Sequence, residues 1–198
     1  MTSGKLIVLY GINNLGKTTQ AKLLVEKLRS QNLKAEYLKY PLYDLEPSGP
    51  LINDYLRQDN PFKLSAREAQ LLYTMNRWQY QETLKHRLES GEYIIAEDYT
   101  GTGMAWGLGA GVAKNFLLKI NEGLLIEDLA ILFQGERFLQ AVEDGHRHEN
   151  DDSLTKTVDL AHQELAKTYG WHNINANNSI ETIAEEIWQI VSQKFIIL

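Results

Sequence analysis

Leu6-Ile7-Val8-Leu9-Tyr10-Gly11-Ile12-Asn13-Asn14-Leu15-Gly16-Lys17-Thr18 sets the reading of the whole chain. Five apolar residues run into a G-x-x-x-x-G-K-[ST] motif, and residues 19–28 behind it have helical spacing. A short apolar run closed by glycine reads as a buried strand. Strand, glycine-rich turn and helix are the context such a motif needs, because it works through geometry. The glycines let consecutive backbone N–H groups turn inward around phosphate oxygens, and the helix N-terminus adds partial positive charge. Lys17 is expected to reach the β- and γ-phosphates of a nucleotide, and Thr18 to offer its hydroxyl to Mg²⁺. Gly11, Asn13, Asn14, Leu15, Gly16, Lys17, Thr18 and Thr19 are the candidate residues for binding it.

Working outward, the 198 residues fit one domain, large enough to bury a proper core. Strand candidates at 5–10, 35–39, 93–96, 129–133 and 171–174 alternate with longer helical segments, the signature of a parallel α/β sheet. Ser65-Ala66-Arg67-Glu68 is a capping box that opens a long helix, and Gly91 closes it. The final helix follows the Asn177-Asn178-Ser179 start signal. A net charge of −6 argues against a broad nucleic-acid footprint, so phosphates must be met by a local cluster of cations. No apolar stretch is long enough to span a bilayer, and there is no signal-peptide apolar region. The chain has no cysteine. A cytosolic protein without disulfides, membrane partner or nucleic-acid partner is expected.

In parallel α/β sheets ligands collect beyond the carboxyl ends of the strands. After the second strand stand Lys39-Tyr40-Pro41; after the third, Glu97-Asp98-Tyr99 and the run Gly103-Met104-Ala105-Trp106-Gly107. The long helix carries Tyr73, Asn76 and Arg77, the first and last sharing a face. Beyond the fourth strand comes Gly145-His146-Arg147-His148-Glu149-Asn150. Two histidines and a glutamate there lack the spacing of a structural zinc site, and a loop reading is preferred.

These segments together resemble the thymidylate kinase family over nearly the whole length. Gly16-Lys17-Thr18-Thr19-Gln20 resembles the end of the family's phosphate loop, and Leu71-Leu72-Tyr73-Thr74-Met75-Asn76-Arg77-Trp78 resembles its Leu-Leu-Phe-x-x-Asn/Asp-Arg-Trp helix. Glu97-Asp98-Tyr99 falls where the family has Asp-Arg-Tyr. The resemblance implies a three-layer P-loop kinase fold, a five-stranded parallel sheet flanked by helices, with a short lid at about 136–152. It implies transfer of the ATP γ-phosphoryl group to dTMP, with Mg²⁺. Lys17, Arg147 and Glu97 would be the catalytic groups, and Thr18 and Glu97 would serve the metal. Asn13, Lys39, Pro41, Tyr73, Asn76, Arg77, Tyr99, Gly103 and Trp106 would hold the acceptor, with Tyr73 stacked on the base. A homodimer through helices is compatible with it.

Departures from the family pattern matter as much. Asn13 replaces an acidic residue, Lys39 replaces arginine and loses the bidentate fork, and Asp98 puts an anion where the family has a cation. Phosphoryl transfer needs in-line positioning and positive charge around the moving group. The cations available are Lys17, Lys39, Arg77, Arg147 and Arg137. Two other readings therefore stay open: a nucleotide-binding protein of little kinase activity, and a deoxynucleoside kinase in which Glu97 takes a proton from a 5′-hydroxyl.

Overall fold

The computed structural model describes residues 3–138 and 152–195. The elements run β1 (Leu6–Tyr10), α1 (Lys17–Ser30), β2 (Ala35–Lys39), α2 (Ser48–Arg57), α3 (Ala66–Glu89), β3 (Tyr93–Glu97), α4 (Thr100–Gly109), α5 (Lys114–Asn121), β4 (Leu129–Gln134), α6 (Asp152–Tyr169), β5 (His172–Asn175) and α7 (Ile180–Phe195). All pairings are parallel, in the order β2-β3-β1-β4-β5. The expected five-stranded α/β sheet is present. Among the described residues no helix is long and apolar enough to cross a membrane.

The sequence explains the order of burial. β1 and β3 are buried at every residue, as strands packed on both faces must be. β2 and β5 carry polar residues at the two edges, where an unpaired ladder would otherwise invite another strand. α1 packs against α7, and α4 against α6, α3 and α5. The Ser65 hydroxyl caps the Glu68 N–H, while the Glu68 carboxylate accepts the Ser65 N–H at 2.8 Å, completing the expected box. Gly91 beyond α3 is left-handed, φ 88°.

β1, β3 and β4 each differ by one residue at one end from the expected bounds, and two further readings change for a reason the packing shows. β5 starts at His172, one residue late, because Trp171 leaves the ladder and stacks on Tyr10 at 4.3 Å. Residues 100–109, legible only as a small/aromatic run, form α4. Four glycines make that helix intrinsically poor, costing about 1 kcal/mol each against alanine. Close approach accounts for them. A Cβ on Gly101 would lie 2.5 Å from the Trp171 ring and 2.8 Å from the Tyr10 ring. The Gly101 N–H donates to the Tyr10 hydroxyl at 3.3 Å, and that hydroxyl donates to Glu127 at 3.0 Å. Burial raises the Glu127 carboxyl above its ordinary value.

The register delivers the site. Glu97 pairs with Leu9 of β1 on one side and Lys39 of β2 on the other, at the carboxyl end of the sheet. Gly101→Ala, which forces a methyl group into that aromatic contact, should cost about 1–3 kcal/mol of stability. Urea denaturation at constant slope measures it.

Candidate active site

Leu9 and Tyr10 end β1, and the phosphate loop begins at Gly11 with φ 135°. Gly16 is left-handed at φ 79° and turns the chain into α1, whose first residue is Lys17. Asn14 is also left-handed, a conformation asparagine tolerates better than most residues. The Lys17 ammonium is buried beneath the loop and donates to the carbonyls of Gly11 (3.0 Å) and Ile12 (2.7 Å). Its charge also lies 3.9 Å from the Asp98 carboxylate.

The two adjacent carboxylates behave oppositely. Glu97 accepts hydroxyl bonds from Thr18 and Tyr37, both 2.6 Å, and pairs with the Lys39 ammonium at 3.0 Å. Burial alone would raise its carboxyl; the Lys17 and Lys39 charges and the two hydroxyls outweigh burial and hold it below the usual range. Asp98 sits at φ 63° and accepts from Thr102 at 2.8 Å. Burial, with the Glu97 charge added, raises its carboxyl despite Lys17. The Thr18 hydroxyl and Glu97 carboxylate are hard oxygen donors of the kind Mg²⁺ takes. Among the described residues no group of three acidic or histidine side chains forms a self-sufficient metal cage. That pattern fits Mg²⁺, which uses one or two protein oxygens and completes its shell with phosphates and water.

Across the cavity stands α3. Arg77 is 4% exposed and donates to Asn121 at 2.9 Å; among the described residues no carboxylate pairs with it. Burial lowers its guanidinium below its ordinary value, against the pull of the surrounding tyrosines. Its fork lies against Gly103, where a Cβ would collide with it. Tyr73 stands edge-on to Tyr55, ring centroids 6.4 Å apart. The Tyr40 and Tyr99 rings pack tilted by 47°, centroids 5.1 Å apart. Both hydroxyls are buried without a hydrogen-bond partner among the described residues, and burial pushes Tyr99 up to about 12. Asn76 has a different occupation: it accepts from the Leu42 N–H and donates to the Leu42 carbonyl and Ser48 hydroxyl, fixing the loop before α2.

One cavity of about 720 Å³ joins these walls. It is lined by Asn13, Asn14, Leu15, Gly16, Lys17, Thr18 and Thr19 on one side, and by Lys39, Pro41, Tyr73, Asn76, Arg77, Glu97, Tyr99, Gly103 and Trp106 around the rest. Gly11 shapes the loop from behind without lining the cavity. Arg147, His146, His148 and Glu149 lie outside the described residues. Sequence reading missed Tyr37, Gln70 and Thr102. Tyr37 is two residues before Lys39 on a strand and so shares its face, Gln70 is seven before Arg77 on α3, and Thr102 is four after Asp98. Periodicity held the signal in each case.

A phosphate loop and a buried guanidinium facing each other across one cavity at the carboxyl edge of a parallel sheet define a P-loop nucleotide kinase. Comparisons give the family. The thymidylate kinase family profile matches residues 9–187. The thymidylate kinase of Homo sapiens is 31% identical over 93% of this chain and 88% of its own length; that of Plasmodium falciparum is 28% identical over 96% and 90%. The Candida albicans thymidylate kinase structure superposes with a TM-score of 0.84 at 24% identity, covering 99% of this chain and 94% of that one. The chain belongs to the thymidylate kinase family, transferases that phosphorylate dTMP to dTDP.

Asp98→Asn keeps a side chain that tolerates φ 63° and removes the titration. A carboxyl raised on folding stabilises fully below its unfolded pKa, and that contribution is lost as pH rises through the folded one. Wild type should therefore lose thermal stability relative to Asp98→Asn as pH climbs from about 4 toward neutrality. Each 1 kcal/mol moves the midpoint by about 2–4 °C, which scanning calorimetry across that range reads directly.

Proposed function

We propose that this cavity transfers the γ-phosphoryl group of ATP to the phosphate of dTMP. The observation that carries the reading is the pairing of the Lys17 loop, in one cavity, with a buried Arg77 guanidinium that meets no carboxylate among the described residues. A buried charge without an opposite partner is costly, and an anionic or carbonyl-bearing acceptor relieves that cost.

Backbone N–H groups of the phosphate loop hold the triphosphate, and Lys17 exchanges its two carbonyl bonds for β- and γ-phosphate oxygens. Thr18 and Glu97 would hold Mg²⁺, which would supply charge neutralisation to the triphosphate. Tyr73 offers a flat face to the thymine ring, Arg77 reaches its edge or the acceptor phosphate, and Lys39 stands beside the acceptor phosphate. An oxygen of dTMP attacks the γ-phosphorus in line; the bond to the β-bridging oxygen breaks, and ADP leaves with that electron pair. The attacking oxygen is already anionic, so no general base is required. Glu97, bonded at both oxygens and held ionised, is accordingly a positioning group and a poor proton acceptor. Arg147 is assigned to the transferred phosphoryl group as the lid cation.

A coupled assay across dTMP, dUMP, dCMP and thymidine should show transfer to dTMP; transfer to none of the monophosphates overturns the reading. Lys17→Met should lower kcat by about 10²–10³. Arg147→Ala should lower it by about 10³ or more with ATP affinity preserved.

A further inference from the structure

Gln70 is a buried polar side chain that the fold does not use. It is 4% exposed, lines the cavity, and its Oε1 has no hydrogen-bond partner among the described residues. Native proteins rarely bury a carboxamide oxygen unpaired. Its position on α3 is specific. Gln70, Tyr73 and Arg77 stand at i, i+3 and i+7, which places them along one helix face. Leu56 and Arg57 of α2 line the same cavity. A planar ring lying on Tyr73 would have Arg77 one turn toward the α3 C-terminus and Gln70 one turn the other way.

The two flanking groups differ in what they can bind. Arg77 is a donor only and suits a ring carbonyl. The Gln70 carboxamide presents an acceptor oxygen beside a donor nitrogen. An imide edge, an N–H flanked by carbonyls, complements that pair. We propose that Gln70 is a specificity-determining residue: its Oε1 accepts the N3–H of an imide-bearing pyrimidine seated on Tyr73, while Arg77 reads a ring carbonyl. Cytosine, which has no N3–H and carries an amino group in place of one carbonyl, sets a donor against Arg77 and gives Oε1 nothing. The assignment rests on the acceptor-site reading proposed above.

The test compares dTMP with N3-methyl-dTMP, which lacks the N3–H, on wild type, Gln70→Met and Gln70→Glu. Methionine fills a similar volume, so the steric penalty of the methyl group largely cancels between proteins. Wild type should prefer dTMP by about 10–100-fold in kcat/KM, the range set by leaving one buried acceptor unpaired. Gln70→Met should lose that preference, through a drop on dTMP carried mainly by KM, with the KM for ATP unchanged. Gln70→Glu keeps an acceptor oxygen and should retain the preference. A Gln70→Met enzyme that discriminates as wild type does, or a Gln70→Glu enzyme that discriminates no better than Gln70→Met, overturns the assignment to Gln70 alone. Absence of dTMP turnover by wild type would instead overturn the acceptor-site reading and this assignment with it.

Discussion

The Glu97 carboxylate is the knot on which this site depends. Strand register puts it between Leu9 and Lys39, and three elements meet at it: β3 supplies it, α1 reaches it through Thr18, and β2 through Tyr37 and Lys39. A carboxylate brought out of water among apolar strands is tolerated only with full compensation. Here two hydroxyls and an ammonium provide it, with Lys17 as a second nearby cation. The same bonds fix where the phosphate loop ends and where the edge strand stops.

Asp98 shows the other side of that balance. One residue further on, the carboxyl has one hydroxyl and a more distant ammonium, and it is raised where its neighbour is lowered. An aspartate at this point brings negative charge toward the phosphate end of the cavity, yet it also sits next to Lys17. The Lys17 ammonium is thus shared between loop carbonyls and a carboxylate, a set of weak claims that phosphate oxygens can displace.

Much of this architecture was legible in the amino-acid order. The strand–loop–helix unit at 6–18 fixed the fold class, because glycine placement and an apolar run of five leave few alternatives. The Ser65–Glu68 box placed the start of α3 to the residue. α4 was not legible: its glycines speak against a helix locally, and the reason for them, contact with Trp171, Tyr10 and Arg77, is tertiary. Asn76 lines the cavity, as its place on the helix face implied, but that its carboxamide also holds a loop distant in sequence could not be read locally. Gln70 was overlooked because glutamine is unremarkable on a helix until burial shows that nothing satisfies it. The Arg147 segment lies outside the described residues, so the lid reading remains one of sequence.

Tyr10 closes the strand that launches the phosphate loop, and its ring is clamped by Trp171 while its hydroxyl bridges Glu127 and the start of α4. A rigid aromatic strut thereby spaces the donor wall from the helix carrying Gly103 and Trp106. The width of the cleft becomes a property of the scaffold, and accommodation of differently sized guests falls to side chains and connecting segments instead of the strands.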